Sequence, residues 1–384
     1  MNILPKIDMR EVTRLTRAGK LGEALRLLQG GETASSETKS EKAVRWTRLV
    51  GEVRPDAEAA PDESIGAARP AKAKRAFSNL TNTVFSPAPV EGVLLRRTST
   101  PTLPEGARFE TRTFADAAGS RTYKLYVPSG HRGQKLPVVV MLHGCTQDPD
   151  DFAAGTRMNE VAEEQNFLVA YPRQPKSANL QKCWNWFDAG QQRREGGEPS
   201  AIAGIARTVV ADFGADPERV YVAGLSAGGA AAAILAATWP DLFAAAGVHS
   251  GLACGAARDM PSAFAAMSGG ALVARHAGPR VPTIVFHGDA DRTVNPVNGD
   301  QIIAQSLPEA GLTRTTTQGQ TPSGMRFTRT AYVDASGVPA LEQWALHGAG
   351  HAWSGGSADG SYTDPRGPDA SREMVRFFLS HRRG

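Results

Sequence analysis

The sequence predicts a domain of the α/β class, in which a mostly parallel sheet is flanked by helices. Short, continuous apolar runs such as PVVVML (137–142) and FLVAY (167–171) are typical of strands that are buried on both faces. Helical stretches separate these runs along the chain, and strands that alternate with helices form parallel sheets. The length of 384 residues allows one large α/β domain with an appendage.

The strands and helices are predicted in a regular order along the chain. Eight stretches have the apolar content of strands: Phe109–Phe114, Thr122–Val127, Pro137–Leu142, Phe167–Tyr171, Val220–Ala223, Phe243–Val248, Pro282–Phe286 and Leu341–Leu346. Five stretches between and after them are predicted as helices, at about 153–166, 199–214, 227–238, 297–307 and 369–381.

Composition divides the chain into three predicted segments. Residues 1–30 have apolar residues every three or four positions, which predicts an amphipathic helix or a helical hairpin. Such a helix is a candidate to dock on the main domain or on a partner. Residues 31–105 are rich in Ser, Thr, Glu, Ala and Pro without a sustained period, which predicts a flexible, disordered linker. Residues 106–384 form the predicted α/β domain.

Composition also excludes several classes of protein. The 41% hydrophobic and 21% charged residues exclude a collagenous, coiled-coil or wholly disordered chain. No apolar run approaches the ~18 residues of a membrane-spanning helix. The N-terminus lacks the apolar core of a secretory signal, so a cytoplasmic location is the default expectation. Three cysteines are too few for a disulfide scaffold and match no zinc-ligand spacing, so no metal is expected.

The net charge of +4 arises from the first hundred residues, where basic residues are interleaved with acidic ones. A basic segment can bind an anionic surface. The interleaving instead favours a solvated linker of mixed charge, and no nucleic-acid partner is predicted.

The strongest chemical signal is Gly224-Leu225-Ser226-Ala227-Gly228, which matches the pattern G-x-S-x-G. A β-rich run precedes it and an Ala-rich stretch with helical character follows it. A tight turn from strand to helix requires small residues beside the serine, exposes its hydroxyl and places it at the positive end of the helix dipole. Ser226 is therefore the predicted nucleophile. The alternative is a Gly-rich packing turn without chemistry.

A serine nucleophile needs a histidine base and an acid that orients the base, here in the chain order Ser, Asp, His. His351 lies in a glycine-rich loop after the last predicted strand and is favoured as the base over His347. His287 precedes the expected position of the acid and is interpreted as a packing or supporting residue. Asp291 is favoured as the acid over Asp289, because it lies where the loop turns away from the strand.

Acyl transfer also requires two N–H donors that hold the developing oxyanion. The N–H of Ala227, directly after the nucleophile, is the first predicted donor. The second is the N–H of Cys145, in the loop His143-Gly144-Cys145 after the strand PVVVML. Gly144 allows the backbone of this loop to turn close to the substrate oxygen.

Two further sets of residues have open alternatives. Cys145 and Cys183 either form a disulfide that clamps the oxyanion loop or remain reduced and packed, as a cytosolic chain would have them. Trp184, Trp186 and Trp353 are the aromatic residues closest to the predicted site, and they either stack on the substrate or belong to the core. Together with His143, they are the predicted substrate-binding residues.

Several motifs together resemble one family. LHGCTQDPDDFAAGTRMNEVAEEQNFLVAYP, CWNWF, GLSAGGA, HGDADRTV, GHAWSGG and DPRGPDASREMVRFF are similar to the polyhydroxybutyrate depolymerase family of esterases, and the match spans residues 106–381. These esterases have the α/β-hydrolase fold and are related to feruloyl and acetylxylan esterases. The resemblance implies a triad of Ser226, Asp291 and His351, the oxyanion loop at 143–145, and a disulfide between Cys145 and Cys183.

The resemblance also implies a function. We expect a serine carboxylic-ester hydrolase that acts on a short-chain polyhydroxyalkanoate polyester or its oligomers and needs no cofactor. Feruloyl or acetylxylan-type ester hydrolysis is the first alternative. A non-catalytic protein that binds a granule surface through its N-terminal helix is the second. The resemblance also points to the extracellular region, which conflicts with the default expectation of a cytoplasmic location.

Overall fold

A sheet of ten strands is the framework of the structure. The structure is a computed structural model that describes residues 103–116, 119–275 and 278–384. The predicted helix at 1–30 and nearly all of the predicted linker at 31–105 lie outside the described residues. The division of the chain into three segments therefore stays a prediction.

The ten strands lie in the order β1-β2-β4-β3-β5-β6-β7-β10-β9-β8. The six from β4 to β10 are parallel to one another, and antiparallel strands flank them on both sides. Their bounds are β1 Arg108–Asp116, β2 Gly119–Val127, β3 Val138–Leu142, β4 Leu168–Pro172, β5 Val220–Leu225, β6 Ala245–His249, β7 Thr283–Gly288, β8 Thr313–Gln320, β9 Arg326–Val333 and β10 Pro339–Leu346. Two short strands, β11 Trp353–Ser354 and β12 Thr363–Asp364, form a separate pair.

Helices cover both faces of the sheet. They are α1 Pro149–Thr156, α2 Met158–Gln165, α3 Gly197–Phe213, α4 Ala227–Thr238, α5 Met260–Gly269, α6 Val297–Ser306 and α7 Ala370–Leu379. In the described part of the chain, none of these helices has the length and apolar character needed to cross a bilayer.

Alternate residues of the central strands point into two apolar layers, as expected for a sheet that is buried on both faces. Val138 and Val140 pack with side chains of α3 and α4 on one face. Val139 packs with side chains of α1, α2 and α7 on the other face. The strands β3 to β7 are therefore fully buried between two helical layers.

The predicted strands are all present, and the differences have local causes. The helix predicted at about 153–166 is two helices, because Arg157 between them adopts a left-handed backbone with φ 55°. The hairpin of β8 and β9 was not predicted. Almost every residue of β8 is exposed, so the strand lacks the apolar alternation on which the prediction depended. Helix α5, with the sequence MPSAFAAMSG, was not predicted either.

The turn between β5 and α4 lies unusually close to the end of β3. A Cβ atom added at Gly228 would lie 2.0 Å from the carbonyl oxygen of Leu142, and one at Gly224 would lie 2.3 Å from that of Gly228. No side chain fits at either position without moving the backbone. These two glycines therefore allow the helix and the strands to approach each other around Ser226.

This close approach predicts the effect of a single methyl group. Gly228→Ala should lower the free energy of unfolding by about 2 kcal/mol or more, because overpacking at a rigid backbone contact is costly. Gly269→Ala is the matched control, since a Cβ at this helical glycine meets no atom within 4 Å. Urea unfolding monitored by circular dichroism measures both. Equal midpoints for the two variants would contradict the packing argument.

Candidate active site

Three loops that carry the predicted triad lie at one edge of the sheet. Ser226 follows β5, Asp291 lies in the loop after β7, and His351 lies in the loop after β10. The strands β5, β6, β7 and β10 are neighbours and parallel, so their carboxyl ends share this edge. Ligands of open α/β sheets bind outside the carboxyl ends of the strands.

Ser226 occupies a strained turn between β5 and α4. Its φ of 58° and ψ of −120° lie in a region that residues with a side chain rarely adopt. The N–H of Ser226 donates to the carbonyl of His249 over 2.9 Å, and its own carbonyl accepts from the N–H of Ala230. These bonds fix the serine at the N-terminus of α4.

Asp291, which is buried, and His351, which is only slightly exposed, form a hydrogen-bonded pair. His351 Nδ1 lies 2.7 Å from Asp291 Oδ2. The other carboxylate oxygen accepts the backbone N–H groups of Thr293 and Val294, each over 2.9 Å. Burial by itself raises the pKa of Asp291, but the neighbouring imidazoles of His287 and His351 outweigh it and hold this pKa well below the usual range. The carboxylate is therefore ionised at neutral pH and holds the imidazole by its Nδ1 side.

His287 supports the same carboxylate from behind. Its Nε2 donates to the carbonyl of Val294 over 2.9 Å and lies 3.5 Å from Asp291 Oδ2. The second distance is long for a hydrogen bond. His351 is therefore the closer of the two partners of Asp291, and His287 packs beneath the acid.

Asp289 and His347, the less favoured candidates for the acid and the base, form a second pair. His347 Nδ1 lies 2.9 Å from Asp289 Oδ2, and Asp289 Oδ1 accepts the N–H of Gly348 over 2.7 Å. His347 Nε2 lies 2.9 Å from the hydroxyl of Thr328 on β9. The side chains of Asp289 and His347 are 49% and 36% exposed, whereas those of Asp291 and His351 are 0% and 12% exposed. Burial thus separates the two pairs.

The predicted oxyanion loop lies against the turn that carries Ser226. A Cβ atom at Gly144 would lie 3.7 Å from the Cβ of Ser226 and 3.6 Å from the carbonyl oxygen of Leu225. Ala227 is the first residue of α4, and the N–H groups of the first helical turn have no acceptor within their own helix. The N–H groups proposed for the oxyanion, those of Cys145 and Ala227, belong to these two adjoining segments.

A disulfide joins Cys145 to Cys183, so the oxyanion loop is covalently tied to the segment CWNWF. The backbone adds a second tie, because the N–H of Thr146 donates to the carbonyl of Gln181 over 2.6 Å. The bridged alternative for these two cysteines is thus the one present in the structure. Cys254 is a free cysteine and is only partly exposed.

His143 supports the oxyanion loop from inside the protein. The ring is buried, Nδ1 donates to the carbonyl of Gly144 over 2.8 Å, and Nε2 accepts the N–H of Gln174 over 3.2 Å. Burial lowers the pKa of His143 to about 4, so the ring is neutral at pH 7. Both ring nitrogens are used within the protein, and the expectation that His143 contacts the substrate stays a prediction.

The structure favours the core alternative for the tryptophans. All three are buried. Trp184 donates its Nε1–H to the carbonyl of His143 over 3.0 Å. Trp353 stacks on His249 with ring centroids 5.2 Å apart and donates to the hydroxyl of Ser371. The stacking of Trp184, Trp186 and Trp353 on the substrate stays a prediction. In the structure their rings pack within the protein beside the loops of the site.

Sequence reasoning missed a group of polar residues that bind the oxyanion loop to the loop before β12. Gln147 accepts the N–H of Gly144 over 2.9 Å and donates to Asp151 and to the carbonyl of Ser361. The hydroxyl groups of Thr146 and Tyr362 lie 3.2 Å apart. The only signal for Gln147 in the sequence is its position three residues after Gly144. Among the described residues, no group of three or more His, Cys, Asp or Glu side chains could hold a metal ion.

Comparison with known families decides the relationship. The family model described as Esterase PHB depolymerase matches residues 121–325, which is more than half of the chain. The chain belongs to this family. The matched region contains Ser226 and Asp291, while the loop of His351 lies beyond it.

Relatives of the family agree with this assignment. The chain is 34% identical over 255 residues to poly(3-hydroxyalkanoate) depolymerase C of Paucimonas lemoignei, covering 63% of this chain and 61% of that protein. It is 28% identical over 232 residues to the probable acetylxylan esterase A of Neosartorya fischeri, covering 56% and 60%. The chain thus spans about three fifths of the length of these relatives.

A solved structure of the family's fold is also similar. The acetyl xylan esterase from Aspergillus awamori superimposes with a TM-score of 0.53 at 20% identity, covering 70% of this chain and 99% of that one. At this identity the likeness shows the fold alone. The α/β-hydrolase fold predicted from the motifs is confirmed.

The disulfide predicts how the protein responds to reduction. A bridge across 38 positions restricts the unfolded chain, so its reduction should lower the free energy of unfolding by about 3–4 kcal/mol. Activity should fall with it, because the oxyanion loop loses its covalent tie. The measurement is non-reducing peptide mapping of protein that is alkylated at once after purification, followed by thermal unfolding and ester hydrolysis with and without reductant.

The expected map links the peptides of Cys145 and Cys183 and finds Cys254 alkylated. This result would also support an oxidising compartment. Cys254→Ala is the matched control and should leave the response to reductant unchanged. Three alkylated thiols in freshly purified protein would overturn the prediction and favour a cytoplasmic location.

Proposed function

We propose that this protein is a serine carboxylic-ester hydrolase in which Ser226 is the nucleophile, His351 the base and Asp291 the acid that orients the base. The observation that carries the proposal is the 2.7 Å hydrogen bond between the buried carboxylate of Asp291 and His351, at the sheet edge where Ser226 follows β5. Membership in the esterase family supports the same chemistry.

The reaction follows from these positions. His351 takes the proton of Ser226 as its hydroxyl attacks the ester carbonyl, and Asp291 stabilises the imidazolium that forms. The N–H groups of Cys145 and Ala227 hold the negative charge on the carbonyl oxygen. The alcohol leaves with the proton from His351, and a water molecule, activated by the same histidine, releases the acid from the serine.

His351 fits the role of base better than its neighbours do. His347 is paired with the more exposed Asp289, and its other ring nitrogen lies 2.9 Å from a threonine hydroxyl. His249 accepts a backbone N–H at Nε2 over 3.0 Å and lies 3.2 Å from the hydroxyl of Ser250 at Nδ1. Burial lowers the pKa of His249 to about 3, so this ring stays neutral. A base must accept a proton during each reaction cycle.

The proposed substrate is a short-chain 3-hydroxyalkanoate polyester or its oligomers. The relative at 34% identity is named as a depolymerase of poly(3-hydroxyalkanoate). Acetyl or feruloyl esters of plant polysaccharides are the second candidate, because relatives at 28% and 35% identity are named as acetylxylan and feruloyl esterases. A panel of amorphous polyhydroxybutyrate, hydroxybutyrate oligomers, methyl ferulate and acetylated xylan separates the two candidates by their kcat/KM values.

Loss of the nucleophile tests the reaction itself. Ser226→Ala should lower the hydrolysis of p-nitrophenyl butyrate by a factor on the order of 10⁴ or more, since the acyl-enzyme can no longer form. An organophosphonate should inactivate the wild-type protein and label Ser226. Circular dichroism controls for folding. A variant within tenfold of the wild-type rate would refute the nucleophile, and a folded but inactive wild-type protein would favour the non-catalytic alternative.

The two aspartates provide a matched pair for testing the acid. Asp291→Asn should lower kcat by orders of magnitude, about 10⁴-fold in a comparable triad, because the amide no longer holds the imidazole in the required tautomer. Asp289→Asn removes a carboxylate two residues away in the same loop and should cost less than tenfold. Steady-state kinetics of both variants give the comparison, and the reverse order of effects would assign the acid to Asp289.

A further inference from the structure

A buried carboxylate outside the triad lies beneath the segment that is disulfide-bonded to the oxyanion loop. Glu198, the second residue of α3, is only 6% exposed. Burial raises the pKa of Glu198, against the opposing effects of hydrogen bonds from Gln174 and Asn185 and of the charge of Arg121. A buried charge without partners would be very costly in free energy, so the role of Glu198 is inferred from the groups that bind its carboxylate.

Three hydrogen bonds to Glu198 come from two separate segments. Gln174, in the loop after β4, donates its Nε2–H to Oε1 over 2.5 Å. Asn185, in the segment CWNWF, donates its Nδ2–H to Oε1 over 2.6 Å and its backbone N–H to Oε2 over 2.8 Å. One carboxylate therefore fixes the spacing between these two segments.

Both segments also bind the oxyanion loop. The N–H of Gln174 donates to His143, and the Nε1–H of Trp184, next to Asn185, donates to the carbonyl of His143. The disulfide of Cys183 holds Cys145 itself. The amide of Gln174 closes the network, because its Nε2 also donates to the carbonyl of Cys183 over 2.9 Å.

We infer that Glu198 is a positioning residue for the oxyanion hole: its carboxylate sets the position of the segment CWNWF, and through the disulfide it sets the position of the Cys145 N–H. This inference rests on the proposed function, in which that N–H stabilises the oxyanion. Glu198 touches neither the substrate nor Ser226 in this role. Of the two proposed oxyanion donors, it acts on the N–H of Cys145, which lies in a loop, and not on that of Ala227, which lies in a helix.

The inference predicts a specific kinetic signature for Glu198→Gln. The glutamine at position 198 has an NH₂ group in place of one carboxylate oxygen, and this group cannot accept a hydrogen bond. At least one hydrogen bond from Gln174 or Asn185 is therefore lost. We expect kcat to fall about 10- to 100-fold, less than the loss from deleting an oxyanion donor, while KM changes less than about threefold. Glu198→Asp, which keeps the charge, should recover part of the rate.

An inhibitor that forms an oxyanion separates positioning from general damage to the fold. The hydroxyl oxygen of Ser226 adds to the carbonyl carbon of a trifluoromethyl ketone with a short alkyl chain, and its proton passes to His351. The former carbonyl oxygen then lies as a negatively charged oxygen in the oxyanion hole. Its affinity for Glu198→Gln should fall by the same factor as kcat/KM, because both depend on the same donor. A purely structural defect would lower the amount of active enzyme and leave the inhibition constant unchanged.

Glu342→Gln is the matched control, since this carboxylate is also buried but lies within β10 and pairs with Arg329 and Arg376. It should lower stability and leave kcat and inhibitor affinity within about twofold of wild type. If Glu198→Gln does not fold, Asn185→Ala removes one donor to the same carboxylate and should give a smaller loss of kcat in the same direction.

The outcomes distinguish this inference from the function on which it rests. An active wild-type protein with a folded Glu198→Gln variant of unchanged kcat, or of raised KM alone, would overturn the positioning role and leave the ester hydrolase intact. An Asn185→Ala variant with wild-type kcat would do the same. A folded wild-type protein that neither hydrolyses esters nor reacts with a phosphonate would overturn the proposed function and this inference together.

Discussion

The close approach of the β5–α4 turn to the end of β3 is the constraint on which the site depends. Because Gly224 and Gly228 have no side chains, the backbone of α4 can lie directly against the carbonyl of Leu142. This contact places Ser226 at a helix N-terminus and brings the loop after β3 to the same point. The strained φ of the serine is the cost of the arrangement, and the hydrogen bond from Ser226 to the β6 backbone stabilises it.

Local motifs predicted the parts of the site that depend on chain order and turn chemistry. The pattern around Ser226 requires small neighbours, and the loops of Asp291 and His351 follow predicted strands, so all three could be placed at one sheet edge. Burial could not be predicted in the same way. An aromatic residue near a catalytic motif has the same sequence signal whether its face is covered or open, so the burial of Trp353 could not be predicted. Glu198 was missed because its partners lie in two loops, whose packing no local pattern records.

Two aspartate–histidine pairs lie side by side. The sequence favours Asp291 over Asp289 and His351 over His347 by their positions in the loops. Asp289 and Asp291 are separated by one residue, so both reach histidines of the same loop. The difference between the pairs is their surroundings. The carboxylate of Asp291 is removed from water and accepts two backbone N–H groups. Its orientation is therefore fixed, and its interaction with the imidazole is stronger than it would be in water. The pair of Asp289 and His347 remains in contact with solvent, which screens its charges. This pair therefore does no more than anchor the loop of His347.

The composition of β8 affects how readily the edge of the sheet can pair with a strand of another molecule. Among the described residues, the ten-stranded sheet ends in β1 and β8, and an edge strand presents backbone groups to which a strand of another molecule can bind. At the β8 edge the exposed sequence is TRTTTQGQ, which has no apolar side chain on either face. An incoming strand would gain backbone hydrogen bonds there but could bury no hydrocarbon against its side chains. The hairpin that adds β8 and β9 to the parallel core thus ends the sheet in an edge that disfavours aggregation.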